Sequence, residues 1–252
     1  MRQKKAFAAL GIIAYLAFLI TSIPASQGIQ WLQDFFPQEQ VQISQPKGTI
    51  WSGSANRITV HQIQLDNVSW EIHPLTLLIG RLKLSIGIND QKNKASATIG
   101  FNTQGLTYIE NLKGIIPTNI LSQLPYVRNV SPSGSLALAI DAIHFSDTQL
   151  PIEADGEIIW HDAELSGPFS LSIGTLLIKL ESQDDDIRIH IRDQDAEVKI
   201  DTTIVLRNDG GYKIQGKLIP KPNADRKLIS TLALLGKKDS TGIIHVNYTG
   251  ML

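Results

Sequence analysis

Residues 48–84 read GTIWSGSANRITVHQIQLDNVSWEIHPLTLLIGRLKL. The stretch opens on a Gly–aromatic–Gly cluster at Gly48, Trp51 and Gly53. Apolar residues then recur at Ile58, Val60, Ile63 and Leu65, and again at Val68, Trp70 and Ile72. Near-alternation of this kind is the period-two signature of strands that bury one face. Pro74 closes the run, Leu75 to Ile79 form a short apolar patch, and Gly80 restarts a strand at Leu82, Leu84, Ile86 and Ile88. No acid, base or nucleophile is arranged for chemistry in this stretch. Its pattern is that of a sheet under construction.

The rest of the chain repeats the operation. Asp90 to Lys94 is a polar hairpin turn, followed by strand patterns at Ala97, Ile99 and Phe101 and at Leu106 and Tyr108. Ile115 to Pro125 breaks the rhythm: Pro117, Thr118 as an N-cap, and Ile120, Leu121 and Leu124 predict a short helix ended by Pro125. Ser131-Pro132-Ser133-Gly134 is dense enough in turn formers to divide the β region into halves, 48–130 and 131–252. The second half echoes the first, because Leu138, Ile140, Ile143 and Phe145 repeat the spacing of Ile58, Val60, Ile63 and Leu65. In both places the parity slip predicts a β-bulge. Ile158 and Trp160 likewise answer Val68 and Trp70.

Further strands are expected over Leu171–Leu180, Ile187–Ile191, Val198–Leu206 and Tyr212–Leu218. Within DIRIHIRD, Asp186 to Asp193, the alternation is unbroken and predicts one apolar and one charged face. Asn223 is placed to cap a helix whose Leu228, Ile229, Leu232 and Leu235 form one stripe, with Gly236 as its stop. Ile244, Val246 and Tyr248 make the last strand.

Upstream of the sheet, Arg2, Lys4 and Lys5 precede Ala6 to Ile20, and no charged residue follows until Asp34. At ~1.5 Å rise per helical residue, the uncharged run is long enough to cross ~30 Å of hydrocarbon. The basic residues are the topology determinants: they stay cytoplasmic and leave the remainder on the far side. The competing reading is a cleaved signal peptide, against which Ile23 is too large for a small-residue cleavage site and Pro24 sits awkwardly beside it. The expected organisation is therefore a cytoplasmic stub (1–5), a single transmembrane anchor (6–25), a juxtamembrane connector (26–47) and a β-rich domain (48–252). Ile29, Leu32, Phe35 and Phe36 share a helical face closed by Pro37. With Trp31 they form an aromatic belt at headgroup level or pack beneath the sheet.

Composition removes several function classes. With 252 residues and 42% hydrophobic content there is ample material for a core, and the formal charge of -1 lacks the basic excess of a nucleic-acid binder. No cysteine is present, which removes disulfides, thiolate metal sites and thiol nucleophiles. His61, His73, His144, His161, His190 and His245 show no metal-ligand spacing, and most sit in alternating strands. Asp184-Asp185-Asp186 lacks the spaced ligands of a calcium loop and reads as a solvated turn. Gly211 to Leu218 nearly matches the phosphate loop GxxxxGK[ST]. Leu218 replaces the hydroxyl, however, and the segment alternates as a strand. No GxSxG elbow occurs. The sequence thus offers no catalytic, cofactor-binding or metal residues.

Several segments together resemble the type II secretion system protein N family: GTIWSGSA at Gly48–Ala55, the W-x-x-x-P and LLIGRL elements over Trp70–Leu82, EIIWHDAEL at Glu157–Leu165, and the closing L-x-x-L-G and G-strand-G pattern over Leu232–Gly250. The resemblance picks out Gly48, Trp51, Gly53, Trp70, Pro74, Gly80, Trp160, Gly236 and Gly250 as structural motif residues. It implies a non-enzymatic, single-pass protein of the Gram-negative inner membrane. Its mainly β domain is curved, largely antiparallel and carries a few short helices. That domain stands in the periplasm and serves export of folded proteins across the outer membrane, with other inner-membrane and periplasmic secretion components as partners. An anchored sheet with an apolar face is also similar to AsmA-like lipid-handling proteins, in which that face carries acyl chains.

Overall fold

The computed structural model describes residues 15, 18, 19, 21–28, 41–60, 63–90, 94–118, 121, 131–167, 171–222, 224, 226–232 and 236–251. The chain is mainly β and divides into two compact units, Met1–Asn89 and Asp90–Leu252. Ser131, expected to open a second half, begins a strand inside the second unit.

In the first unit four strands run as an antiparallel meander: β1 (Val41–Gly48), β2 (Ser52–Val60), β3 (Ile63–Ile72) and β4 (Leu82–Asn89). A single helical turn, α1 (Pro74–Leu77), joins β3 to β4. Ala55 and Val68 face each other across β2 and β3, Val68 also pairs with Ile88, and both Ala55 and Val68 are buried. Strand β1 corrects the expectation of a connector as far as Lys47. Its polar composition and Pro46 hid it, yet Pro46 is tolerated because β1 stands at the end of the strand order, where a missing N–H need not break a ladder. The spacing slip between Val60 and Ile63 also differs from expectation. There β2 ends at Val60 and β3 begins at Ile63, its partner across the pair. Arg57 and Asp66, directly opposed across β2 and β3, form an exposed ion pair at 2.6 Å. That hydrogen bond from Arg57 holds the Asp66 carboxyl below its usual range.

The second unit contributes ten described strands, paired antiparallel. Its strands are β5 (Lys94–Asn102), β6 (Gly105–Pro117), β7 (Ser131–Phe145), β8 (Pro151–Ser166), β9 (Leu171–Gln183), β10 (Asp186–Asp193), β11 (Val198–Arg207), β12 (Gly211–Pro220), β13 (Lys237–Lys238) and β14 (Ile244–Met251). Order follows sequence until β12, which pairs with β14, and β14 in turn with β13. Here the slip between Ile140 and Ile143 is the expected bulge: the register against β8 shifts between Ile140 and Ala142. The matching spacings in the two units therefore have different structural causes, the junction of two strands in one and a bulge within a strand in the other.

Strand β6 ends at Pro117, immediately before the expected short helix; Thr118 and Leu121 are in 3₁₀-helical conformation, and Ile120, Leu124 and Pro125 lie outside the described residues. Thr118, expected as a cap, is buried and donates its hydroxyl to the Gly134 carbonyl at 3.1 Å. Asp184 and Asp185 both have positive φ and connect β9 to β10, the backbone of a two-residue hairpin turn. Strand β10 behaves as its alternation predicts. Ile187, Ile189 and Ile191 lie opposite Ser182, Leu180 and Ile178 on β9, while Arg188, His190 and Arg192 occupy the other face beside Glu181, Lys179, Thr203 and Asp201. On the apolar face, Ala154, Ile187 and Leu206 form one buried cluster. A second is closed by helix α2 (Arg226–Leu232), whose Leu228 and Leu232 pack with Val198, Leu218 and Ile244. Elsewhere that face is half-buried, as at Ile178, Ile189, Ile204 and Ile214.

Among the described residues no helix is long and apolar enough to cross a membrane. The expected anchor over Ala6–Ile20 lies outside them, except for Tyr15, Phe18 and Leu19, which are helical and exposed. Arg2, Lys4 and Lys5, the face from Ile29 to Phe36, and the expected cap Asn223 and stripe residue Leu235 also lie outside the described residues.

Candidate functional site

The motif residues of the first unit converge at one end of its sheet. Gly48, at φ 85°, ends β1 in the left-handed region that favours glycine, and Thr49 closes the turn into β2. The Thr49 amide donates to the Ser52 carbonyl at 2.9 Å, and the Ser52 amide donates to the Thr49 hydroxyl at 3.1 Å. Gly53 is paired with Trp70 on β3. A Cβ on Gly53 would lie 2.5 Å from the indole and 2.6 Å from the Lys47 carbonyl oxygen, so the ring fills the place of the absent side chain. The indole N–H then donates to the Ile50 carbonyl at 3.2 Å, and the Ile72 amide donates to the Trp51 carbonyl at 2.6 Å. Sheet edge, turn and tryptophan thus form one bonded cluster.

The same turn receives the chain that follows the N-terminal apolar stretch. Pro24 forms a β-bridge with Thr49, and the Ile50 amide donates to the Ile23 carbonyl at 3.1 Å. Ala25 and Gly28 are buried, and a Cβ on Gly28 would overlap the Ile50 side chain at 2.0 Å. These contacts answer why Gly48 to Gly53 is so specific a segment: it is the seat on which the incoming N-terminal chain is fixed.

At the same end, α1 carries Pro74 in its first turn, where the missing N–H costs nothing. Its far end is a Schellman turn. The Gly80 amide donates to the Leu77 carbonyl at 3.0 Å, the Arg81 amide donates to the Thr76 carbonyl at 3.0 Å, and Gly80 has φ 70°. The Thr76 hydroxyl also donates to the His73 carbonyl at 2.7 Å. This braced turn holds Leu75 and Leu78 outward, 78% and 83% exposed, beside Ile79 at 68% and Leu77 at 42%.

In the second unit Trp160 sits between Leu136 on β7 and Leu176 on β9, and its indole N–H donates to the Ser133 carbonyl at 2.9 Å. Gly236 is required by close packing, since a Cβ there would meet the His245 carbonyl oxygen at 2.1 Å. Gly250 pairs with Tyr212, whose hydroxyl oxygen would be 2.5 Å from an added Cβ. Gly100 is covered by Tyr108 in the same way. Among the described residues, Gly–aromatic cross-strand pairs therefore recur at Gly53–Trp70, Gly100–Tyr108 and Gly250–Tyr212. Sequence reasoning found Trp70, Gly53 and Gly250 but missed Gly100, Tyr108 and Tyr212, because the pairing depends on register between strands.

Among the described residues no reacting centre is assembled. Among the described residues, no group of three His, Asp or Glu could hold a metal ion. The nearest approach to a catalytic pair is Asp239 and His245, with Oδ2 and Nε2 2.8 Å apart. The other carboxylate oxygen accepts from the Thr241 hydroxyl and the Thr241 and Ile243 amides, bracing the turn into β14. The Thr241 hydroxyl and His245 hold the Asp239 carboxyl well below its usual range. Such a group is a fixed anion, unsuited to proton transfer near neutrality.

Residues 39–247, which contain this seat and the strands from β1 into β14, match the family model for type II secretion system (T2SS), protein N. The chain belongs to that family. Type II secretion system protein N of Aeromonas hydrophila is 25% identical over 259 residues, covering 100% of each chain. The proteins of the same name from Klebsiella pneumoniae and Vibrio cholerae are 26% and 22% identical, covering 99% and 85% of this chain and 97% and 86% of their own lengths. No solved structure matches the chain. The resemblance carried by GTIWSGSA and LLIGRL thus identified the family, and the protein is a component of type II secretion.

Proposed function

We propose that this chain is a non-enzymatic, membrane-anchored scaffold of the type II secretion system. Arg2, Lys4 and Lys5 stay in the cytoplasm, the stretch from Ala6 to Ala25 crosses the inner membrane once, and the β region from Gly48 stands in the periplasm. There it docks other inner-membrane and periplasmic components that export folded proteins across the outer membrane. Family membership over residues 39–247 carries this reading. It is supported by the seating of Ile23 and Pro24 on the β1–β2 turn, which would transmit position from anchor to sheet. The outer edge of β1 offers a row of backbone groups for strand addition. Crosslinking in intact cells followed by isolation from solubilised membranes is expected to recover other secretion components with this chain. Recovery of none of them refutes the reading.

A second reading, lipid handling of the AsmA-like kind, draws on the half-buried Ile178, Ile189, Ile204 and Ile214 on one face of the second unit. Mass spectrometry of the protein purified without added lipid discriminates. Stoichiometric phospholipid favours lipid handling, and its absence favours the scaffold.

A further inference from the structure

We propose that α1 and the turn that ends it, Leu75 to Ile79, insert into the lipid surface beside the N-terminal anchor, giving the first unit a second membrane contact. The proposal rests on the anchored reading above. Its first ground is exposure: among the described residues, Tyr15, Phe18, Leu19, Leu75, Leu77, Leu78 and Ile79 make up seven of the ten exposed large apolar side chains. Leu75 to Ile79 alone is an exposed apolar run continuous in sequence, of the kind that marks an interaction surface.

The second ground is place. Ile23 and Pro24, which follow the apolar N-terminal stretch, are bonded to Thr49 and Ile50. The β1–β2 turn meets the end of β3 through the Ile72 amide and the Trp51 carbonyl, and α1 begins two residues later. The two apolar segments therefore leave the same end of one sheet.

The third ground is chemistry. Backbone polar groups enter apolar surroundings only when paired. Here the amides of Thr76, Leu78, Ile79, Gly80 and Arg81 all donate within the turn, to the carbonyls of His73, Leu75, Thr76, Leu77 and Thr76. The side chains are thus offered outward by a turn whose amides from Leu78 to Arg81 are already paired. From His73 to Ile88 the chain carries Arg81 and Lys83 and no acidic residue, which suits an anionic headgroup layer. One helical turn is short, so its reach is the headgroup–acyl boundary.

The chain contains no cysteine, so single labels are unambiguous. The full chain carrying Leu78→Cys, Gln64→Cys or Leu19→Cys is labelled with an environment-sensitive fluorophore. It is then reconstituted into vesicles of phosphatidylethanolamine and phosphatidylglycerol, with and without nitroxide-bearing lipid. Gln64, exposed near the β2–β3 turn, reports the opposite end of the unit. The expected result is blue-shifted emission and loss of intensity to nitroxide at positions 78 and 19, with neither at 64. Water-like, unquenched emission at 78 with quenching at 19 overturns the proposal alone and assigns the leucines to a protein partner. Absence of quenching at both positions overturns the anchored reading together with it.

Discussion

Ile244→Ala is expected to destabilise the second unit by about 3 kcal/mol, within the range for deleting a buried branched side chain. Ile244 is fully buried and stands at the centre of the cluster that joins α2 to the sheet, against Val198, Leu218, Leu228 and Leu232. Much of the cavity would stay open, because its walls belong to β11 and β12, which are held by register on both sides. Leu228 and Leu232 would lose the surface that docks the helix, and the α2 turns have little intrinsic stability to fall back on. For a unit of this size the change corresponds to a fall in melting temperature of roughly 6–12 °C. Thermal unfolding of the detergent-solubilised chain measures it. A fall of less than about 2 °C would show that α2 is not the lid of this core.

The second large effect is expected from Trp70→Ala in the first unit. The indole covers Gly53 and bonds the Ile50 carbonyl, so its loss removes apolar contact and leaves a carbonyl of the N-terminal seat unpaired. Trp70 is only half-buried, which sets the cost at about 2–3 kcal/mol, at or below the low end for tryptophan truncation in a full core. Trp70→Phe restores most of the contact and none of the hydrogen bond, leaving a deficit of about 1 kcal/mol. Hydrogen exchange locates the damage. The Ile50 and Ile72 amides, donors to Ile23 and Trp51, are expected to exchange faster in Trp70→Ala, while the β10 amides remain unchanged. Unaltered protection at Ile50 would mean that the indole does not organise the seat.

The two units differ in how plainly they are written in the sequence. Strand β10 was legible because DIRIHIRD sets isoleucines on one face against Arg188, His190 and Arg192 on the other, between two long neighbours that fix its burial. Strand β1 was not, because an edge strand needs only one buried face and one set of hydrogen bonds, so it accepts Pro46 and polar residues. Local spacing also proved ambiguous. Ile58-Val60-Ile63-Leu65 and Leu138-Ile140-Ile143-Phe145 share a pattern, yet one spans the junction of two strands and the other a bulge, since both insert residues between alternating runs. Gly53, Gly80 and Trp70 were visible as motif residues. Their tasks were not, because the Gly–aromatic pairs and the seat for Ile23 and Pro24 depend on contacts between distant positions. Leu75 to Ile79 was legible as apolar, and only the fold shows that the sheet leaves it uncovered.

The most direct test of the central claim is to separate the β region from the anchor in a cell whose own copy has been deleted. Complementation with the full chain is compared with a version in which Met1 to Ala25 is replaced by a cleavable signal sequence, releasing the β region into the periplasm. The account predicts that the full chain restores export of the type II substrates and that the released form, present at equal level, leaves them in the periplasm. Full export with the released form would contradict it.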